Sequence, residues 1–269
     1  MSAAARKVSY ASYVALGDSW TEGVGDPDPM SPNGVRGWAD RVAEVLATRT
    51  EGFRYANLAI RGRRTPEIID EQVEPALAMR PELVTFQSGG NDVFRPTVDI
   101  DGIVAGIDQV VGRFSAQGAT VVLFTHGNGG TSGVIGRLRG RLAVFNELLR
   151  EVVDRHGAVL VDNWRVPEGR DPRYWDADRI HLSPAGHERA AIYVLDALGM
   201  QHDLVTQPLT PLPELSRRDQ RRADTLWAKE HLLPWVRRRV AGRSLGDGIE
   251  PKYPVLTELL QRVPESPSA

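Results

Sequence analysis

An α/β fold, with a parallel sheet between two layers of helices, is predicted for this 269-residue chain by three features. Five short β-rich apolar runs lie along the first 161 residues, each is bounded by Gly, Pro, Asp or Asn, and helical patterns separate them. Strand and helix in alternation build a parallel sheet through right-handed crossovers, with helices on both faces and ligands beyond the carboxyl ends of the strands.

The runs are 13–16, 54–58, 83–87, 120–125 and 158–161, which predicts a five-stranded parallel sheet. Helical patterns follow at 37–47, 65–78, 103–117 and 137–156. A further helix starts at Ser183-Pro184, a good N-cap followed by a proline suited to the first helical position, and Gly199 ends it. The main domain therefore spans residues 10–200. Residues 203–216 carry three prolines, Pro208, Pro211 and Pro213, and read as a linker or a segment laid over the surface. Beyond them, a charged stretch carries Leu226, Leu233, Val236 and Val240 at roughly helical spacing, interrupted by Pro234. Residues 201–269 are thus expected to form a helical C-terminal extension. Its Trp227, Leu232, Leu233 and Trp235 are costly to leave exposed, so it should dock on the core of the same chain.

Composition narrows the function. Apolar residues make up 41% and charged residues 25%, a globular balance, and the net charge of −2 offers no field for nucleic acid. No run of 18 apolar residues exists to span a bilayer, and the first residues lack the apolar stretch of a signal peptide, which points to the cytoplasm. With no cysteine, a covalent catalyst must use oxygen or nitrogen.

Three polar clusters fall at predicted strand ends. In Val14-Ala-Leu-Gly-Asp-Ser-Trp-Thr-Glu-Gly23, Ser19 follows the first strand between two glycines, and a tight turn there presents a hydroxyl and its own amide; Gly-Asp-Ser is also an ordinary turn and cap. Gly89-Gly-Asn-Asp92 follows the third strand, and Asn91 can donate to an oxyanion or satisfy its own turn. Asp178-Arg-Ile-His181 precedes the Ser183 helix start. A carboxylate three residues before a histidine can bond its Nδ1–H, fix the tautomer and stabilise the cation formed when Nε2 takes a serine proton.

Together these clusters resemble the SGNH, or GDSL-type, hydrolase family over about residues 13–199. Ser19 in Gly-Asp-Ser resembles its first block, Asn57-Leu-Ala-Ile-Arg-Gly62 the second, Gly89-Gly-Asn91-Asp92 the third and Asp178-x-x-His181 the fifth, in the family's order. Trp20 replaces the leucine of the GDSL name, and Ala59 stands where the second block commonly has a glycine. The resemblance implies a flavodoxin-like three-layer αβα fold, a triad of Ser19, His181 and Asp178, and an oxyanion hole made by the Ser19 amide, the Gly62 amide and the Asn91 side chain. It implies an esterase acting on small or medium acyl esters, including O-acetyl groups, through an acyl-enzyme, with no cofactor or metal. A small-molecule ester is then the partner, and nucleic acid and membrane are not. The same triad also serves acyl transfer to a non-water acceptor, and a flavodoxin-like binding module without chemistry is a third reading.

Several residues are weighed beside that set. Arg61, Arg63 and Arg64 flank the oxyanion glycine and can either contact an anionic substrate or remain solvated. His126 opens a Gly-rich loop, residues 126–133, that reads as a mobile lid or a plain connection, and His187 as a helix residue. The stretch 227–248 resembles C-terminal extensions of bacterial members of the family; packing on the core, covering the cleft and forming a dimer contact stay open, and oligomeric state with them.

Overall fold

A computed structural model of the chain describes residues 9–95, 97–128, 133–206, 208–213, 215–240 and 244–259. Five parallel strands form its centre: β1 (Ser12–Leu16), β2 (Arg54–Asn57), β3 (Leu83–Phe86), β4 (Thr120–Phe124) and β5 (Val159–Val161). Between β1 and β2 come α1 (Ser19–Glu22) and α2 (Gly37–Ala47). Between β2 and β3, α3 (Thr65–Ile68) widens into a π-helical turn, Ile69–Val73, and continues as α4 (Glu74–Ala78). Next are α5 (Gly90–Val93) and α6 (Ile100–Ala116) before β4, and α7 (Gly133–His156) before β5. Then follow α8 (Pro184–Leu198), α9 (Arg217–Trp227), a second π-helical turn at Ala228–Leu232, and α10 (Leu233–Val240).

Two apolar layers follow from the alternation of side chains along each strand. Val14 and Leu16 of β1 join Val84, Phe86, Val121 and Leu123 against α3, α4, α6 and α7. Tyr13 and Ala15 face the other way, with Tyr55, Val122 and Phe124, against α2 and α8. Ser183 caps α8, its hydroxyl accepting from the Gly186 N–H at 3.3 Å, and Gly199 ends it in the left-handed conformation at φ 70°.

The sheet departs from the expectation of five parallel strands. A sixth strand, β6 (Tyr253–Glu258), comes from the C-terminal extension and pairs antiparallel with β2, so the order is β5-β4-β3-β1-β2-β6. Without it, β2 would expose an edge of unpaired N–H and C=O groups. The extension is therefore not purely helical. Beside β6, the Lys252 ammonium is buried and donates to the Asp40 carboxylate and to the carbonyls of Val35 and Arg36, at 3.1 and 2.7 Å for the carbonyls. Burial pushes the Asp40 carboxyl up, and Lys252 and the Tyr55 hydroxyl oppose it.

Candidate active site

The carboxyl ends of β1, β2 and β3 deliver three turns to one edge of the sheet. After β1, Gly17 is held by Gln72, whose amide accepts from the Gly17 N–H and donates to the Gly17 carbonyl, both at 2.9 Å. A Cβ on Gly17 would meet Thr21 Oγ1 at 2.5 Å and the Gln87 carbonyl at 2.7 Å, so only glycine fits this crossing. Asp18 then caps α1, accepting from the Trp20 N–H at 3.1 Å, and Ser19 is the first residue of that helix. Gln72 sits in the first π-helical turn, and it escapes a sequence reading because it looks like any polar position of a helix.

After β2 the chain turns through Gly62, at φ 81°, where a Cβ would lie 2.3 Å from Ser244 Oγ of the extension. After β3, Gly89 at φ 95° leads into α5, and Asn91 Nδ2 donates to Asp18 Oδ2 at 3.1 Å and to the Arg63 carbonyl at 3.0 Å. Asp92 Oδ2 accepts from both the N–H and the hydroxyl of Thr65, at 2.9 and 3.0 Å, tying the third turn to the second. Among the described residues, no hydrogen bond engages the backbone N–H of Ser19 or of Gly62. Ser19, Gly62 and Asn91, which carry these amides, all line one cleft.

The fourth turn carries the acid and the histidine. His181 Nδ1 is 2.5 Å from Asp178 Oδ2, while Asp178 Oδ1 accepts from the N–H groups of Ile180 and His181, both at 2.9 Å. Burial alone would raise the Asp178 carboxyl, but the hydrogen bond and charge of His181 together with those two N–H donors hold it at about 2. Gly25 packs beneath: a Cβ there would lie 3.3 Å from the Cβ of His181. The Trp20 indole N–H donates to the Ile180 carbonyl at 3.2 Å, and its ring meets Trp175 edge-on at 5.6 Å. From the extension, the Trp227 indole N–H donates to the Asp178 carbonyl at 2.9 Å. Arg179, in the left-handed region at φ 60°, stacks 5.0 Å from the Trp227 ring and pairs with Asp224 at 2.7 Å.

Ser19, Gly62, Asn91 and His181 line one cleft of about 1140 Å³, whose far wall is built from the extension by His231, Pro234, Arg238 and Ser244–Leu245. Ser19 and His181 share that cleft with no hydrogen bond between them among the described residues; such contacts commonly tighten only once substrate is bound.

The flanking arginines also line the cleft, but each is tied to an acid: Arg61 to the buried Glu22 at 2.6 Å, Arg63 to Glu71 at 2.7 Å and Arg64 to Glu67. Their charge is largely spent within the protein. His126 reaches the cleft too, with Nε2 3.1 Å from the Ser88 carbonyl, and burial pushes its imidazole down to about 4, so it is neutral near pH 7. Residues 129–132 of its Gly-rich loop lie outside the described residues, as does the side chain of Trp235. His187 is buried: its Nδ1 accepts from the Trp38 N–H at 3.2 Å and its Nε2 donates to the Val24 carbonyl at 3.0 Å. Among the described residues, no helix is long and apolar enough to cross a membrane, and no group of three or more His, Asp or Glu is placed to hold a metal.

Comparisons with known proteins agree with this architecture. LAE5, an alpha/beta hydrolase enzyme from the metagenome of Lake Arreo, is 23% identical with a TM-score of 0.60, over 72% of this chain and 97% of its own. A catalytic mutant of Axe2, an acetylxylan esterase from Geobacillus stearothermophilus, is 20% identical with a TM-score of 0.61, over 73% and 98%. TesA is 22% identical with a TM-score of 0.58, over 70% and 97%. At these identities the likeness is one of fold. No curated protein gives a significant sequence match. The profile of the GDSL-like lipase/acylhydrolase family matches residues 15–189, well over half of the sequence, and the chain belongs to that family of serine hydrolases.

Proposed function

We propose that the protein is a serine esterase acting on small or medium acyl esters, O-acetyl groups among them, with Ser19 as nucleophile, His181 as base and Asp178 as the acid that orients it. The observation that carries this reading is the Asp178–His181 contact, with Nδ1 committed to the carboxylate and the rest of the ring on the cleft that holds Ser19. In the reaction, His181 Nε2 takes the Ser19 proton while Oγ attacks the ester carbonyl carbon. The tetrahedral oxyanion is received by the N–H groups of Ser19 and Gly62 and by Asn91 Nδ2, each such donor contributing roughly 2.7–4 kcal/mol to the transition state. His181 then protonates the leaving alcohol oxygen as the ester C–O bond breaks. Water, deprotonated by His181, attacks the acyl carbon, and as the acyl–Oγ bond breaks His181 returns the proton to Ser19 Oγ and the acid is released.

The acetylxylan esterase among the similar structures is consistent with an O-acetyl substrate. A cleft of about 1140 Å³ exceeds what an acetyl ester needs, and it favours a sizeable alcohol portion or a second substrate, which keeps acyl transfer as the other reading. A panel of p-nitrophenyl esters from acetate to palmitate, run with and without an added alcohol, separates them. Hydrolysis peaking at short chains supports the esterase, and preferential formation of a new ester at low alcohol concentration supports transfer. No labelling of Ser19 by a fluorophosphonate would refute both.

A further inference from the structure

All three oxyanion donors are wired to one another through a single buried carboxylate. Asp18 is only 3% exposed. Its Oδ1 accepts from Trp20 N–H, which fixes the first turn of the helix that begins at Ser19. Its Oδ2 accepts from Asn91 Nδ2, and the same nitrogen donates to the carbonyl of Arg63, the residue after Gly62. The path from Trp20 through Asp18 and Asn91 to Arg63 therefore joins the segments carrying the Ser19 amide, the Asn91 side chain and the Gly62 amide. A helix cap needs the first of these bonds and has no use for the second.

We propose that Asp18 is a positioning residue for oxyanion stabilisation: its buried carboxylate aligns the Asn91 amide with the Ser19 turn and holds one of its N–H groups until the developing oxyanion takes it. This rests on the esterase reading above. Chemistry explains why a carboxylate suits the place. An acceptor without a proton orients the amide nitrogen, rather than its oxygen, toward the nucleophile. The surroundings keep its hold adjustable. Burial pushes the Asp18 carboxyl up to about 6, against the Trp20 N–H, the His181 charge and the Asn91 amide and with the help of the Asp92 charge. A group balanced there can weaken its grip on Asn91 when a second negative charge forms beside it.

Asp18→Asn keeps a side-chain oxygen for the α1 cap but turns an N–H toward Asn91. In p-nitrophenyl acetate hydrolysis it should lower kcat about 10- to 100-fold with KM changed less than about twofold, the pattern for an interaction gained in the transition state. Asn91→Ala should lower kcat roughly 100- to 1,000-fold, and the double variant should be no slower than Asn91→Ala alone, because Asp18 acts through Asn91. A kcat for Asp18→Asn within twofold of wild type, or effects that simply multiply in the double variant, would overturn the proposal and leave the esterase reading intact. An active enzyme indifferent to Asn91→Ala would remove Asn91 from the oxyanion hole and the proposal with it. Should Asp18→Asn fail to fold, the wild-type protein still decides. The Asn91 side-chain amide resonances should titrate near pH 6, and should still titrate, at higher pH, in His181→Ala, where the opposing charge is gone. Resonances flat from pH 4 to 8 in both proteins would rule out the Asp18–Asn91 bond.

Discussion

The two halves of the cleft are held by different parts of the chain. The side proposed to receive the oxyanion is braced from within the core, where Gln72 brackets Gly17, Asp18 and Asn91 link three turns, and Asp92 caps the helix after Gly62. The acid–histidine side hangs on a loop of short turns between β5 and α8, touched by Trp20 and Gly25 from the core and by Trp227 and Asp224 from the extension. Hydrogen bonds that link segments far apart in the chain within the core leave the first half few alternatives. The second half carries a left-handed Arg179 whose side chain is paired outside the family's own domain. Geometry on that side is therefore a joint product of core and extension.

The broadest way to test the comparison is to remove one group from each half. Ser19→Ala and His181→Ala should each lower kcat by roughly 10⁴-fold or more with an unchanged melting temperature, and together no further than either alone, since covalent catalysis needs both. Equal losses would mark the halves as one chemical unit despite their separate supports. Turnover in Ser19→Ala above contamination level would break the assignment of the nucleophile.

The anchor of the extension comes next. Lys252→Ala removes a buried ammonium from Asp40 and leaves a buried carboxylate uncompensated, which typically costs about 3–5 kcal/mol. Unfolding in urea should show that loss, and Lys252→Met with Asp40→Leu, which removes both charges, should recover much of it. If Lys252→Ala melts like wild type, β6 is not fastened by this pair, and the extension's grip on the site must come from α9 and α10 alone.

Acid should act on a link between the halves. His187, at the start of α8, bonds the Trp38 N–H and the carbonyl of Val24, next to the Gly25 that supports His181. Burial pushes its imidazole down to about 4, and His126 is likewise at about 4. Unfolded, each titrates near 6.5, so the unfolded chain binds their protons first, and the stability they contribute is complete above about pH 6.5 and drains away toward pH 4. Asp18, raised to about 6, and Asp40, also raised by burial, act oppositely over part of the same window, whereas Asp26, Glu67 and Asp178, held low by their partners, act with the histidines. The melting temperature should therefore fall on acidification from pH 6.5 to 4; a constant or rising value would mean that the histidines are not held neutral.

How much of this is legible in the sequence follows the range of the interactions. The five parallel strands are continuous apolar runs, and Asp178 and His181 meet because they are three residues apart, so both can be read locally. β6 cannot: Tyr253–Glu258 contains Pro254, alternates weakly and has its partner some 200 residues away, and only the return of the chain to β2 makes it a strand. Asp18, Gln72 and Lys252 are ordinary polar letters in a turn, a helical pattern and a tail; their meaning lies in contacts with Asn91, Gly17 and Asp40 across the fold. Apolar spacing in the extension signals that it must pack, without saying that its indole would reach the Asp178 carbonyl.

The finest test of the comparison is that indole. Trp227→Phe keeps an aromatic ring beneath Arg179 and deletes only the N–H that donates to the Asp178 carbonyl. A neutral hydrogen bond of this kind contributes about 0.5–1.5 kcal/mol, so if it helps to hold the acid–histidine turn in its working geometry, kcat/KM for p-nitrophenyl acetate should fall about two- to tenfold. Asp224→Ala, which frees Arg179 from its ion pair, should produce an effect no larger, because that pair is exposed and screened. Both losses should fall on catalysis with little change in melting temperature, since neither contact is part of the core. Activity equal to wild type in both variants would show that Asp178 and His181 are held by their own hydrogen bonds and by Trp20 and Gly25, leaving the extension a wall of the cleft with no share in aligning its catalytic groups.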